Sequence, residues 1–505
     1  MSKGVVLAID AGTTGVRTRA VFADGRPSVA AYREFAQHVP RPGWVEHDAS
    51  EIWEAASATL AEVAAAVGEP VVAIGITNQR ETVVAWDRRT GEPAARAIVW
   101  QDRRTAQRCE ELLPHLSTVR RTTGLVLDPY FSGTKAAWML ENCELPPVEH
   151  LAIGTVDSWL VWKLTDGAIF ATDPSNASRT MLFDIRAMTW SSDMCNLLGV
   201  PKQCLPEVRP SSGRIGTTSG VPGLPNGTAI SGIAGDQQAA LFGQACTLRG
   251  MAKNTYGTGS FVLLNVGTTC PEPTDGMLTT VAWDLGSGPT YALEGSIFVT
   301  GAAVQWLRDG LGIISSSAEI GPLAASVPNN GGVYLVPAFT GLGSPWWDPH
   351  ARGTIVGITR GTTRAHIARA TVEAMVFQTC DAIDAMTSAA GVSLAELRVD
   401  GGASVMDAML QHQSDELGVP VLRPVDHETT ALGAAYLAGL AENVWTGTDE
   451  IAAMWQLDAR FLPGSPTGQR VARRHAVPWG SPAGTGPPGA TSRQYRRVRA
   501  PRARR

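Results

Sequence analysis

Five short apolar runs along the chain each stop at a polar or glycine-rich cluster. Val5–Ile9 leads into Asp10, Val71–Ile76 into Thr77-Asn78-Gln79-Arg80-Glu81, and Ala229–Ala234 into Gly235-Asp236-Gln237-Gln238. Val333–Val336 leads into Pro337-Ala338-Phe339, and Leu397-Arg398-Val399 into Asp400-Gly401-Gly402. Runs of this kind predict buried strands. Helical patterns lie between them, one opened by Ser50 as cap and continuing to about Val67, another opened at Thr363 and continuing to about Met386. Strands alternating with helices predict an α/β fold, with mixed sheets flanked by helices. Ligands of open α/β sheets sit beyond the carboxyl ends of the strands, so the polar clusters should share a rim and face one cleft.

The first run and its turn carry the most chemistry. Asp10 can hold a hydrated magnesium ion, Gly12 lets the backbone approach a phosphate, and the Thr13 and Thr14 hydroxyls can donate to its oxygens. Arg17–Phe22 alternates like a returning strand, and no Gly-Lys-Ser/Thr follows, so the segment is a hairpin rather than a P-loop. An ordinary hairpin with a glycine turn is the plainer alternative. Asn254–Leu264 looks like a second copy, a Gly/Thr turn feeding a strand. The duplication suggests two domains, roughly 1–248 and 249–478, as does a length of 505 residues, beyond what one core usually serves.

Charge narrows the ligand class. The net charge is −5, but residues 481–505 hold seven Arg and no acid, so the preceding 480 residues carry −12. An acidic body argues against nucleic acid as partner, and an anionic ligand must be met by local dipoles and a metal ion. Beyond Trp479 the composition turns to Gly, Pro, Ser and Arg, which predicts a disordered tail over 479–505. Seven scattered cysteines without a Cys-x-x-Cys pair suit a reducing compartment, and no apolar run approaches the ~18 residues of a membrane span. A cytoplasmic location follows.

Arg80 and Glu81 set a donor fork beside an acceptor pair, which is what the hydroxyls of a small polyol require. Trp100 and Tyr130 can cover a polyol's C–H edges, although aromatics are commonly core. Asp236, at the mouth of a helix, suits either a proton acceptor for an attacking hydroxyl or a helix cap.

The spaced set closely resembles the FGGY carbohydrate kinases of the actin-like ATPase superfamily, over about residues 5–478. It comprises Asp10-Ala-Gly-Thr-Thr, Asn78-Gln-Arg-Glu-Thr, Trp100-Gln-Asp-Arg-Arg, Tyr130-Phe-Ser-Gly-Thr-Lys, Gly232-Ile-Ala-Gly-Asp-Gln-Gln, Tyr256-Gly-Thr-Gly, Gly301-Ala-Ala-Val-Gln-Trp and Asp400-Gly-Gly. The second and third strings point to the glycerol branch. The resemblance implies two actin-like (ribonuclease H-like) domains around an interdomain cleft, with ATP-dependent phosphorylation of glycerol to sn-glycerol 3-phosphate. It implies that Arg80, Glu81, Trp100, Tyr130, Asp236, Gln237 and Phe261 meet glycerol, and that Asp236 is the catalytic base. Thr13, Thr14, Gly15 and Arg17 should meet phosphates, Thr258, Gly301, Gln305 and Gly402 the nucleotide, and Asp10 and Asp236 the magnesium ion.

Met406 stands at a nucleotide position where relatives usually have Asn. Gly220–Thr228 lacks the Gly-Gly-Thr-Arg loop that binds fructose 1,6-bisphosphate in some bacterial members, and the Arg-rich tail has no counterpart. Relatives also imply a homo-oligomer, dimer or tetramer. Two other readings stay open: a related kinase for another small polyol or ketose, and an actin-like ATP-binding switch without a small-molecule acceptor.

Overall fold

The computed structural model describes residues 4–26, 28–348 and 350–464. The predicted tail, and the end of the second expected domain, lie outside the described residues.

The first sheet is built from β1 (Val5–Ala11), β2 (Gly15–Phe22), β3 (Ala30–Glu34), β4 (Val71–Asn78), β5 (Ser212–Thr217) and β6 (Ala229–Gly235), in the order β3-β2-β1-β4-β6-β5. The second contains β7 (Met251–Tyr256), β8 (Ser260–Gly267), β9 (Leu278–Asp284), β10 (Pro289–Ile297), β11 (Glu396–Asp400), β12 (Val421–Pro424) and β13 (Leu457–Phe461), in the order β9-β10-β8-β7-β11-β12-β13. Apart from the edge strand β9, the two follow one path: a three-strand antiparallel meander, two parallel neighbours and an antiparallel edge. The hairpin at Asn254–Leu264 therefore occupies the same place in its sheet as the Asp10 hairpin does in the first.

The first sheet packs its Leu7, Ile9, Ile74, Ile76 and Ile233 against helix α1 (Ala49–Val67). Asp48 caps this helix, its carboxylate accepting from Ser50 N–H at 2.9 Å, so the expected Ser50 cap sits inside the first turn. The acid wins because its carboxylate reaches the orphan N–H of N2. The second sheet rests on the long helix Arg364–Ala390, where Thr363 and His366 form the capping box. It runs one turn past the expected Met386 and ends at left-handed Gly391. Val333–Val336 departs from expectation. Its strand, Tyr334–Val336, pairs only with Thr354–Val356 in a separate ribbon and does not join the common rim.

Two helices join the halves: α2 (Asp236–Gly243), following β6, and α3 (Thr429–Ala441), from far along the chain. The α3 sequence, Thr-Thr-Ala-Leu-Gly-Ala-Ala-Tyr-Leu-Ala-Gly-Leu-Ala, has no polar face, which marks a helix enclosed on all sides. It lies on β4 and β6 of the first sheet at backbone contact: a Cβ on Gly75 would fall 2.1 Å from the Ala434 carbonyl, and one on Gly433 1.8 Å from the Ala239 carbonyl.

Gly433→Ala gives opposed expectations. Alanine gains about 1 kcal/mol of helix propensity, whereas overpacking costs about 1–3 kcal/mol and more where backbone must move. With the new methyl directed at a carbonyl, net destabilisation is expected in urea unfolding; an unchanged or raised midpoint would contradict the contact.

Candidate active site

Register puts the predicted clusters at one level. Ala11 of β1 pairs with Asn78 of β4, and Gly235 of β6 pairs with the same Asn78, so the Asp10, Arg80 and Asp236 segments leave the sheet side by side. In the second sheet Thr255 pairs with Asp400, which brings the Thr258 and Gly402 turns together at its own rim.

The first hairpin turn is closed by Gly12 N–H on the Gly15 carbonyl at 3.0 Å. Thr13 Oγ1 accepts from Trp100 Nε1 at 2.9 Å, and Thr14 Oγ1 lies 3.3 Å from the Tyr32 hydroxyl. Gly15 is buried beside Tyr32 and Arg33, and Arg17 is engaged by Glu428 from across the molecule. Burial pushes the Asp10 carboxyl up to about 7, helped by the negative charges of Asp236 and Glu428 and opposed by Arg17. A buried carboxyl pushed up by neighbouring negative charge is one that a cation would relieve.

Below this rim lies a buried charge cluster. Arg80 directs its guanidinium at four groups: Glu294 (Nη1–Oε2 2.5 Å, Nη2–Oε1 3.1 Å), Gln238 (3.2 Å), the Tyr130 hydroxyl (3.2 Å) and Asp236 Oδ1 (3.0 Å from Nε). Arg179 adds a second cation, donating to Glu81 Oε1 at 2.6 Å and to Glu294 Oε1 at 2.9 Å, with its guanidinium over the Tyr130 and Phe131 rings. Glu294 stands on β10 of the second sheet, so this cluster ties the two halves together behind the cleft. Burial alone would raise the Glu294 carboxyl, but Arg179 and Arg80 outweigh it and hold Glu294 at about 2. Glu81 goes the other way: burial raises it, and the pull of Arg80 and Arg179 offsets only part. Its backbone is left-handed, φ 63°. That conformation costs a non-glycine residue about 1–3 kcal/mol and clusters at functional sites.

Trp100 and Tyr130, read as one aromatic wall, are brought together edge to face with centroids 5.6 Å apart. Phe261 pairs directly with Ser296 on β10, two residues from Glu294, so it shares the sheet face that presents this carboxylate. Asp236 opens α2 and keeps 31% of its side chain exposed; Oδ1 accepts from Gln237 N–H at 2.7 Å. Gln237 Oε1 in turn accepts from Lys253, whose Nζ also reaches Thr255 Oγ1 at 2.9 Å. Burial draws Lys253 down to about 8.

On the second rim, the Thr258 carbonyl accepts from Thr300 and Ala302 N–H at 2.9 and 3.0 Å, so the Thr258 turn caps the short helix Gly301–Gln305. Thr258, Gln305 and Gly402 are exposed there. Met406 opens helix Asp407–Leu417 and lines a narrow crevice with Gly321, Ala324, Ala325, Met409 and His412.

Arg179, Glu294, Lys253 and Gln238 are the members that motif reading missed. A signal existed for two of them: Glu294 is the lone charge in Pro289–Ile297, and Lys253 the lone charge in Met251–Tyr256. A single charge inside a buried strand demands a buried partner.

Behind the first hairpin sits His47, wholly buried. Gln79 Nε2 can only donate, so His47 Nδ1 accepts from it at 3.3 Å and the His47 Nε2–H donates to Gln37 Oε1 at 3.0 Å; the Gln37 amide then donates to the Thr13 carbonyl. Burial, with His38 adding to it, lowers His47 to about 4.

A duplicated α/β fold with a hairpin turn at the strand ends of each sheet, and a buried cluster of charged donors and acceptors joining the two halves, points to the class of two-domain carbohydrate kinases. The chain belongs to the FGGY family of carbohydrate kinases: the family's N-terminal domain matches residues 5–243 and its C-terminal domain residues 252–442. It is 53% identical over 500 residues to the glycerol kinase of Bordetella parapertussis, covering 95% of this chain and 98% of the relative. The crystal structure of Plasmodium falciparum glycerol kinase with ADP superposes with a TM-score of 0.88 at 34% identity, covering 94% of this chain and 96% of that one. Xylulose kinase from Rhodospirillum rubrum shares the fold, with a TM-score of 0.83 at 23% identity over 93% of this chain and 96% of that one.

Glu294→Gln keeps the shape but leaves Arg80 and Arg179 with one carboxylate fewer. Breaking a buried pair costs about 3–5 kcal/mol, whereas an exposed one such as Arg33–Glu62 is worth under about 1 kcal/mol. Urea unfolding of Glu294→Gln beside Glu62→Gln should show that gap; equal effects would contradict the cluster's role. The His47 shift sets a pH window. The unfolded chain protonates this residue near 6.5 and the folded chain only near 4. Stability from this group is therefore complete above pH 6.5 and is lost as pH falls towards 4, by up to roughly 3 kcal/mol. Against His47→Asn, the wild-type advantage in urea should shrink between pH 7 and 4.5; a constant difference would refute the assignment.

Proposed function

We propose that the chain transfers the γ-phosphoryl group of ATP to a terminal hydroxyl of glycerol, giving sn-glycerol 3-phosphate and ADP. The observation that carries this reading is the convergence of Tyr130 and Asp236 on Arg80, by a hydrogen bond and an ion pair, with Trp100 linking Tyr130 to the Thr13 hydroxyl. Similarity to named glycerol kinases over nearly the whole chain supports the same acceptor.

In this reading the first domain, roughly 1–248, seats glycerol, and the second, roughly 249–478, seats the nucleotide. Glycerol lies against Trp100, Tyr130 and Phe261, exchanging hydrogen bonds with Arg80, Glu81, Asp236 and Gln237. Lys253 fixes the carbonyl end of the Gln237 amide, so its N–H₂ end is the one offered to a hydroxyl. Arg80 and Gln237 N–H both hold Asp236 Oδ1, which leaves Oδ2 to accept the proton of the attacking hydroxyl. Thr13 and Thr14, with the adjoining backbone, donate to the transferring phosphoryl oxygens. Arg17 reaches a phosphate by exchanging Glu428 for it, while Gly15 shapes the hairpin from within. Thr258, Gly301, Gln305 and Gly402 face the nucleotide, and Met406 gives its base an apolar edge.

Asp10 and Asp236 suit a magnesium ion. The two carboxylates are hard oxygen donors of the kind magnesium takes, and the negative charge of Asp236 on the buried Asp10 would be relieved by a cation held between them. Bound there, the ion neutralises charge on the phosphates. No described helix is long and apolar enough to cross a membrane. Seven free cysteines support a cytoplasmic setting, and a homo-oligomer is part of the same reading.

Coupled ADP release across glycerol, dihydroxyacetone, erythritol and a pentulose tests the acceptor: glycerol should stimulate turnover most, and turnover indifferent to every polyol would sink the proposal. Asp236→Asn should abolish turnover while glycerol affinity, measured calorimetrically, changes by less than about tenfold, the scale of one hydrogen bond. Retained turnover would remove Asp236 from the base role.

A further inference from the structure

Trp100 is tied to the phosphate hairpin at two adjacent residues. Its indole Nε1–H donates to Thr13 Oγ1 at 2.9 Å. Its backbone N–H donates to Thr82 Oγ1 at 3.2 Å, the Thr82 hydroxyl donates to Gln79 Oε1 at 3.0 Å, and Gln79 Nε2 donates to the Gly12 carbonyl at 3.0 Å. The N–H and carbonyl groups of this ring each have one role open to them, which sets the direction of the Thr82 hydroxyl between them, and the His47–Gln37 branch fixes the Thr13 carbonyl from the other side.

A wall for the C–H edges of a polyol needs only an aromatic ring, and phenylalanine would serve. The indole N–H is surplus to that task, yet of the two hydroxyls in the neighbouring turn it meets that of Thr13, while Thr14 lies beside Tyr32. A hydroxyl that accepts from a fixed donor has one of its two lone pairs committed, which narrows where its own proton can point and makes that proton a better donor to a third group. We propose that Trp100 is a positioning residue for phosphoryl transfer: its indole N–H sets the direction of the Thr13 hydroxyl, so one side chain both lines the acceptor seat and aims a phosphate donor. The inference rests on the reading that glycerol lies against Trp100 and a transferring phosphate against Thr13. It adds a link between the two halves of the reaction that neither contact alone supplies.

Trp100→Phe keeps a ring and removes the donor. With one neutral hydrogen bond at stake, kcat should fall about five- to tenfold while the KM for glycerol stays within about twofold. In a Thr13→Val background, where the acceptor is gone, the same substitution should lower kcat by less than about twofold further. A tryptophan analogue at position 100 with sulfur in place of the indole N–H keeps the ring's size and should behave as the Phe variant does. It also carries the test if Trp100→Phe does not fold. A Trp100→Phe enzyme or an analogue with wild-type kcat overturns the proposal, and so does an equal loss in the Thr13→Val background, which would assign the effect to ring packing. Those results leave glycerol phosphorylation standing. A wild-type enzyme whose ADP release ignores glycerol removes both.

Discussion

Glu294 is a carboxylate with no solvent contact, kept ionised by two guanidinium groups from the other half of the molecule. Taking such a charge out of water costs several kcal/mol, and only close, multiply hydrogen-bonded partners offset it. The geometry answers that demand: Glu294 receives two donors of Arg80 and one of Arg179, and Arg179 passes a further bond to Glu81. Two cations and two anions thus enclose one another. Arg80 has little freedom left, so the edge it shows to Asp236 and Tyr130 is set by residues that never face the cleft.

The packing between the halves serves the same end. Gly75 and Gly433 bring the α3 helix to backbone distance from β4 and α2, and an Ala-rich surface leaves no long side chain to intervene. Close approach holds α3 against the first sheet and against α2, the helix that begins at Asp236. Above this rigid layer, the hydrogen-bonded ring through Trp100, Thr82 and Gln79 holds the first turn to its neighbour. Accurate placement of polar groups comes from such supporting shells rather than from the contacting residues alone.

Much of this was legible in the chain itself because the signals were local. An apolar run that stops at Asp10, and another that stops at Asp400, each report a strand end, and the likeness of Asn254–Leu264 to the first hairpin reports a repeated sheet that the strand order bears out. The pairings that cross long stretches of sequence left weaker traces. Nothing near Arg80 names Glu294 as its partner, and nothing in Thr429–Ala441, apart from its lack of a polar face, says that it covers the first sheet. Asp48 rather than Ser50 caps the first helix because two good capping residues compete within three positions, and only backbone geometry decides between them. Tyr334–Val336 has the composition of a central strand but finds a partner only in Thr354–Val356.

The placement of Glu294 bears on the order of synthesis. It leaves the ribosome 214 residues after Arg80 and 115 after Arg179. Until then the nascent first half holds two interior cations with Glu81 as their one fully buried carboxylate and the partly exposed Asp236 beside Arg80, so its centre lacks the anion that both cations share. Although its sheet is complete by Gly235, maturation of this half must await the arrival of β10, which makes the two halves co-dependent in biogenesis as well as in use.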